Sequence, residues 1–204
     1  MKNKTENRII QLSEKKFIQL GIRNVSIDDV CNELHISKKT FYKYFPQKEN
    51  LIEAVIENRD KLNLEKFNKR HQNINTVDML VLIIKELRKN ESNRPHIFMH
   101  DLQKYYPEIY SKFKTKQQIQ IKEGFENYIK RGIDEGYYRK DLDIEMVSYY
   151  HSVQIQSIAE QMQQAMPKVS NKRMMDFFID LIIRLITNEK GFEYIQNSLN
   201  KDTT

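Results

Sequence analysis

The stretch "SKKTFYKYFPQKENL", residues 37–51, decides the fold of the N-terminal part of the chain because it combines helical spacing with segregated charge. On a helix, which turns about 100° per residue, Phe41 and Phe45 fall on the same side, one turn apart. An adjoining arc carries the cations and a phenol: Lys38, Lys39, Tyr42 and Lys43. The pattern predicts a short helix that buries its two phenylalanines against neighbouring helices and keeps its cations outside.

The residues before this stretch predict another short helix, which precedes the lysine-bearing helix in the chain and is joined to it by a tight turn. Ser26 can cap the helix, and Asp29, three residues later, can complete a capping box. Apolar residues then follow at helical spacing: Ile27, Val30, Cys31 and Leu34. Ser37 can cap the next helix, and Pro46 ends it because the residue before proline avoids the helical conformation. Two such short helices, packed on a longer helix that precedes them in the chain, predict a helix-turn-helix unit. The lysine-bearing helix of this unit suits the major groove of DNA.

Charge alone leaves another interpretation open. Residues 37–48 hold four lysines and no acidic residue, which is also compatible with a solvated basic face. Over the whole chain, 34 Lys and Arg against 28 Asp and Glu give a formal net charge of +6, which permits a polyanionic partner without requiring one. DNA binding is favoured because the lysines occur together with two further features: the capped helix that precedes them, and phenylalanines spaced to be buried on the opposite face.

Residues 8–56 resemble the N-terminal domain of TetR-type transcriptional regulators. The shared pattern is Phe17 before Gly21, Ser26 ahead of "IDDV", and "ISKKTFYKYFPQKENL". The resemblance implies a helix-turn-helix DNA-binding domain over residues 1–47 and a larger helical ligand-binding and dimerisation domain over residues 48–204. It also implies a homodimer on a palindromic operator of double-stranded DNA.

The resemblance also implies roles for individual residues of the N-terminal domain. By their positions in the family pattern, the contacts to the phosphate backbone are Thr40, Tyr42 and Lys48. The candidates for reading base edges are Lys38, Lys39 and Lys43, since lysine suits guanine O6 and N7. Ser26 would add a hydroxyl or backbone contact, and Ser37 completes the predicted DNA-binding set. The chain departs from the family pattern at Gln47, where a serine cap is common.

The rest of the chain predicts an all-α fold. Only five glycines and four prolines interrupt 204 residues, which favours long helices over many-turned β architecture. Periodicity predicts helices over the following approximate ranges: 47–71, 76–89, 96–106, 107–135, 143–166 and 171–189. After these we expect a C-terminal piece that frays.

Two late segments favour association of two copies. Residues 146–166 contain one full charge, Glu160, and residues 174–186 are apolar on most of the helix. A helix this apolar is buried on more than one side, and interface cores are depleted of charge. One interpretation is two interior core helices. The preferred one is a homodimer through the helices near 143–166 and 171–189, which is the arrangement usual in the resembled family.

Aromatic residues and methionine on the central helices predict a ligand site. The candidates are Phe98, Met99, Leu102, Tyr105, Tyr106, Tyr110, Phe125 and Tyr128. Such a set also suits a plain core, but a cavity lined by it would accept a small apolar or aromatic molecule. By analogy with the family, we expect a repressor that this effector releases from DNA. The alternative is a DNA-binding interaction protein that is controlled by a protein partner or acts without a ligand.

No motif indicates catalysis or a cofactor. His96 and His100 stand one helical turn apart, but no nearby pair completes a metal site. Glycine-rich phosphate loops, nucleophile elbows and metalloprotease signatures are missing, so we expect neither an enzyme nor a bound metal. The N-terminus lacks the apolar core of a signal peptide and no apolar run reads as a membrane span, which predicts a soluble, cytoplasmic protein without a membrane partner.

Overall fold

A computed structural model of the chain describes residues 4–89 and 97–201, which are almost entirely helical and confirm the predicted all-α class. The helices are α1 (Lys4–Leu20), α2 (Ile27–Leu34), α3 (Lys38–Tyr44), α4 (Lys48–His71), α5 (Thr76–Lys89), α6 (Ile97–Tyr105), α7 (Pro107–Asp134), α8 (Ile144–Val153), α9 (Ala159–Ala165), α10 (Asn171–Ile186) and α11 (Glu189–Asn200). A π-helical segment, Gln154–Ile158, connects α8 to α9.

Packing divides the described chain into two compact units. The first comprises residues 4–70 and 97–113, and the second comprises residues 71–89 and 114–201. The predicted functional boundary between residues 47 and 48 follows the DNA-binding motif instead, and it stays a prediction. In the structure, α4 and α6 pack with the N-terminal helices.

The core of the first unit holds the short helices in place. Phe17 and Phe41 are fully buried and Phe45 nearly so, in one cluster with residues of α4 and α6. Helices as short as α2 and α3 are unstable alone in water, so this packing supplies the stability that their length cannot. Gly21 ends α1 at a φ of +84°, a conformation that glycine adopts without strain.

The second unit has its own core, formed by isoleucines and a hydrogen-bonded tyrosine pair. Its fully buried members include Ile84, Ile129 and Ile195. Tyr138 is buried as well, and its hydroxyl donates to the Tyr128 hydroxyl at 2.6 Å. Tyr128 in turn donates to the carbonyl oxygen of Thr76 at 2.7 Å, which ties α7 to the start of α5.

The C-terminal piece differs from the prediction. The expected fraying is wrong up to residue 200, because α11 is a capped helix that packs against α5. The Asn188 side chain accepts from the backbone N–H of Gly191, and the Tyr194 hydroxyl donates to Asp78. Gly191 allows the close packing, since a Cβ there would overlap the carbonyl oxygen of Tyr137. The sequence holds the signals that could have found α11: Asn188 as a cap, and Phe192, Ile195 and Leu199 at helical spacing.

Candidate nucleic-acid interface

The start of α2 is fixed by a complete capping box. The Ser26 hydroxyl accepts from the backbone N–H of Asp29 at 3.1 Å, and Asp29 Oδ2 accepts from the backbone N–H of Ser26 at 2.8 Å. Hydrogen bonds from the side chain and backbone of Ser26 lower the pKa of the Asp29 carboxyl. Ser26, a predicted phosphate contact, is exposed but already serves as this cap.

His35 makes the turn that sets α3 against α2. Its φ of 53° and ψ of 47° lie in the left-handed region, where glycine is the usual residue. The backbone N–H of Ile36 donates to the carbonyl oxygen of Cys31 at 3.0 Å and closes the turn. The sequence suggested only a tight connection here, since a histidine gives no signal for a left-handed residue.

Helix α3 has one buried face and one exposed face, as the spacing predicts. Phe41 and Phe45 lie in the core with their ring centroids 5.8 Å apart. Lys39, Tyr42 and Lys43 are exposed on the other side. Among the described residues, no ion-pair partner lies within 4 Å of Lys39 or Lys43. These two lysines and the Tyr42 hydroxyl can therefore meet an anion without breaking an existing ion pair.

The remaining predicted contacts of α3 have internal partners. Ser37 caps the helix by accepting from the backbone N–H of Thr40 at 3.1 Å, and the two hydroxyl oxygens lie 2.9 Å apart. Lys38 forms an ion pair with Asp28 at 2.8 Å, and the hydrogen bond to that carboxylate raises the pKa of Lys38. Both partners are exposed, so water and salt screen the pair and it is readily exchanged.

Lys48 joins the start of α4 to the connection between α1 and α2. Its ammonium donates to the carbonyl oxygens of Ile22 at 2.7 Å and Val25 at 2.5 Å. Burial lowers the pKa of this half-buried group. Because an ammonium has three N–H donors, one remains for another acceptor such as a phosphate oxygen.

Two residues that the sequence prediction missed support the same region. The Asn50 side chain accepts from the backbone N–H of Gln47 at 3.1 Å, so α4 is capped from within its first turn. Asp101 of α6 accepts from the backbone N–H of Arg23 at 3.1 Å, and the Arg23 guanidinium donates to the Tyr105 hydroxyl at 3.0 Å. A Cβ at Gly21 would lie 2.6 Å from the Asp101 carboxylate, so glycine permits this approach.

Six of the predicted ligand residues lie in the first unit. Five of them belong to the cluster that also contains Phe41 and Phe45: Phe98, Met99, Leu102, Tyr106 and Tyr110. Phe98 stacks on Phe17 of α1 with centroids 6.4 Å apart, which shows a packing role. Tyr105 is exposed instead, and the hydrogen bond from Arg23 lowers its pKa. Their role as ligand contacts stays a prediction.

Phe125 and Tyr128 lie in the second unit and stack with centroids 5.8 Å apart. Burial raises the pKa of Tyr128, whose hydroxyl already bonds Thr76 and Tyr138. Phe125 also stacks on His151 of α8, with centroids 3.9 Å apart and an interplanar angle of 26°. Sequence spacing gave no signal for this pairing of α7 with α8.

His96 of the considered histidine pair lies outside the described residues, and His100 lies 3.5 Å from the Asp101 carboxylate. Within residues 4–89 and 97–201, no three His, Cys, Asp or Glu side chains converge as a metal would need. In the same ranges, no helix is both long and apolar enough to cross a bilayer.

Comparison with known proteins gives matches concentrated in the helices just described. Residues 9–55 match the model for bacterial regulatory proteins, tetR family. The chain is 41% identical over 56 residues to the uncharacterized HTH-type transcriptional regulator YuxN of Bacillus subtilis, which is 28% of this chain and 19% of that protein. It is 31% identical over 77 residues to the HTH-type transcriptional regulator UidR of Escherichia coli, 38% of this chain and 39% of that protein. The matches thus span about a fifth to two fifths of these relatives.

The fold likeness extends further along the chain. The structure of a TetR-family transcriptional regulator from Cytophaga hutchinsonii superposes with a TM-score of 0.66 at 16% identity, covering 91% of this chain and 96% of that one. At this identity the likeness shows the fold alone. The resemblance predicted for residues 8–56 is confirmed by the family match and the two relatives.

Proposed function

We propose that this protein, whose N-terminal helices are a tetR-family domain, is a DNA-binding transcriptional regulator that binds a palindromic operator as a homodimer and is released by a small molecule. In this proposal α3 enters the major groove. Lys39 and Lys43 read base edges while Tyr42 contacts the phosphate backbone.

The observation that carries the proposal is the division of α3 into two faces. Phe41 and Phe45 are buried, whereas Lys39, Tyr42 and Lys43 are exposed and the two lysines keep their charge uncompensated by neighbouring carboxylates among the described residues. A helix seated rigidly on its own core, with free cations outside, suits the negative potential and width of the major groove.

Lys38, Ser26, Ser37, Thr40 and Lys48 form the supporting set. Contact with a phosphate would exchange the screened Lys38–Asp28 pair for another charged partner at low cost. The hydroxyls of Ser26 and Thr40 can each accept or donate a further bond. Lys48 would bring its third N–H to a phosphate while its other two hold the α1–α2 connection.

The homodimer is supported by apolar exposure on the second unit. Helix α8 and the π-helical segment expose Met146, Tyr149 and Ile155, and α10 exposes Phe177 at 55% of its surface. Large exposed apolar side chains are typical of protein interfaces, and residues 146–166 carry only one full charge, Glu160, as interface cores do. We propose that α8–α9 and α10 pair with their copies and set two α3 helices about 34–36 Å apart, one turn of DNA.

The repressor role and the effector are proposed by analogy with the resembled family. Aromatic packing around Phe125 and Tyr128 in the second unit supports a site for a small molecule with a ring. The second candidate is a DNA-binding protein that a protein partner controls or that acts without a ligand, and the exposed Tyr149 and Phe177 would then serve such a partner.

Selection from random duplex DNA followed by fluorescence anisotropy tests the proposal. We expect a palindromic site and nanomolar binding that falls steeply as salt rises. Lys39→Ala combined with Lys43→Ala should lower affinity for that site more than tenfold without changing the circular dichroism spectrum. Enrichment of no sequence, or unchanged affinity in the folded double variant, would overturn DNA recognition by α3.

A further inference from the structure

Three polar side chains line one side of α8 and the start of the π-helical segment: buried Ser148 and Gln154, and partly buried His151, whose Nδ1 atom is buried. They follow one another at three-residue spacing, which keeps successive members on neighbouring positions of the helix surface. Ser148 is fully buried and Gln154 is 4% exposed. We call this set the α8 polar face. It points into the second unit and away from exposed Met146, Tyr149 and Ile155.

One buried polar atom on each of these three side chains has no hydrogen-bond partner in the part of the chain that the structure describes. Among the described residues, none hydrogen-bonds to Ser148 Oγ, His151 Nδ1 or Gln154 Oε1. More than nine in ten buried polar groups in folded proteins are hydrogen-bonded, because an unsatisfied one is costly. Ser152 offers a direct contrast, since it is equally buried on the same helix and its hydroxyl donates to the carbonyl oxygen of Tyr149 at 2.7 Å.

The backbone changes at the same place. Ile155 stands two α-helical turns after buried Ser148 and would share its face in a regular helix, yet it is 52% exposed. The π-helical segment Gln154–Ile158 alters the register there. Such segments are rare and occur frequently at functional sites, where they aim particular side chains.

The surroundings set the chemistry of what this face can bind. The His151 ring lies against Phe125, which in turn stacks on Tyr128. Burial lowers the pKa of His151 to about 4, so the ring is neutral at pH 7 and offers one N–H and one lone pair. An ionised ligand group would meet the same unfavourable burial. Gln154 Oε1 accepts only, so the ligand group that meets it is a donor.

We propose that the α8 polar face binds the hydroxyl group of a neutral ring compound, with Gln154 and Ser148 as hydrogen-bond partners and the Phe125–His151 stack beside the ring. The inference deepens the effector part of the proposed function and rests on it. It narrows the expected effector from a small apolar or aromatic molecule to a neutral ring compound whose hydroxyl group is bound by Ser148 and Gln154.

Phenol and toluene are matched probes, because they differ by one hydroxyl group on the same ring. Isothermal titration of the full chain should show phenol binding about tenfold more tightly than toluene. Ser148→Ala and Gln154→Met should each reduce that preference, and the double variant should abolish it. Ser152→Ala, the control, should leave the preference unchanged because its hydroxyl is satisfied within the helix.

Melting temperature gives a second readout that does not need the probe. Removing an unpaired buried hydroxyl should raise the melting temperature in Ser148→Ala, whereas removing a paired one should lower it in Ser152→Ala. Equal affinity for phenol and toluene, no binding of either, or a preference that persists in the double variant would overturn the inference. A crystal structure with phenol that shows only water at Gln154 Oε1 would do the same.

Operator binding, measured on the same samples, separates the two proposals. If the chain binds its selected DNA but does not prefer phenol, only the α8 polar face is refuted. If phenol is preferred and no DNA sequence is selected, the site stands and the regulator proposal fails.

Discussion

The ammonium of Lys48 lies 2.7 Å from the carbonyl oxygen of Ile22, so the first residue of α4 is bonded to the connection between α1 and α2. A second bond reaches Val25, and the ring centroid of Phe17 lies 6.0 Å away. Lys48 is therefore a structural residue of the N-terminal helices, beyond the phosphate contact that its sequence position implied. These two hydrogen bonds tie the start of α4 to the connection that leads into α2.

Replacement of Lys48 by methionine should lower stability and DNA affinity together. Met keeps the aliphatic stem but removes two charged hydrogen bonds to half-buried carbonyls, which costs about 2 kcal/mol of unfolding free energy. Urea denaturation measures this loss. Lys39→Met, at an exposed position, should change the unfolding free energy by less than about 0.5 kcal/mol. Equal stability of the two variants would contradict the structural role of Lys48.

Removal of the Lys43 charge should weaken DNA binding without loss of stability. In the proposed complex Lys43 lies in the major groove, where its charge also attracts the nearby phosphates. Lys43→Ala should therefore lower the slope of log affinity against log salt, by no more than about 0.9, the value for one full phosphate contact. The slope is measured by anisotropy between low and moderate salt. Lys201→Ala removes the same charge outside the N-terminal helices, so an equal fall in slope for both variants would indicate a general charge effect only.

The sequence predicted correctly which face of α3 is buried. It could not predict which side chains of the proposed DNA-binding set already form hydrogen bonds within the protein. Phe41 and Phe45 are buried because their spacing places both on one side of the helix. The bonds of Lys48 to Ile22 and Val25 join residues more than twenty positions apart, and such pairing leaves no periodic trace. Local patterns therefore identified the elements, and tertiary contacts assigned the individual roles.

The same limit applies to the predicted ligand residues. The sequence grouped the aromatic residues of α6 and α7 into one candidate site. The structure instead places Phe98 in the core of the first unit and Phe125 in that of the second. His151 had no partner visible in the sequence, because its stacking on Phe125 depends on how α7 and α8 pack.

His35 predicts a stabilising substitution. Its left-handed φ of 53° is unfavourable for a residue with a Cβ, and its side chain is exposed. His35→Gly should raise the unfolding free energy by roughly 0.5–1 kcal/mol, because glycine adopts this conformation without strain. His35→Ala removes the same ring but keeps the Cβ, so it should give no such gain. A gain of equal size in both variants would mean that the imidazole, and not the backbone, is unfavourable.

The largely buried imidazole of His151 predicts a pH dependence of stability. Its pKa is lowered from 6.5 to about 4 by burial, so between these values the unfolded chain binds a proton that the folded chain does not. Stability from this group is complete above pH 6.5 and is lost as pH falls towards 4, by up to about 3 kcal/mol. His151→Gln should remove that part of the acid destabilisation in urea titrations, while exposed His100→Gln should retain it. Parallel acid profiles of wild type and His151→Gln would contradict the assignment.

Phe177 tests the proposed interface between copies. The side chain is 55% exposed on α10, beside partly exposed Phe178 with ring centroids 5.6 Å apart. Phe177→Glu would place two like charges in a twofold interface, where they lose hydration and repel each other. The dissociation constant of the dimer, measured by sedimentation velocity, should therefore rise at least tenfold. Leu64→Glu, on α4 at 58% exposure, makes the same chemical change on the first unit and should leave the sedimentation coefficient unchanged. Because two coupled half-sites bind DNA more tightly than one, Phe177→Glu should also weaken operator binding. A wild-type protein that is monomeric at micromolar concentration would refute this interface.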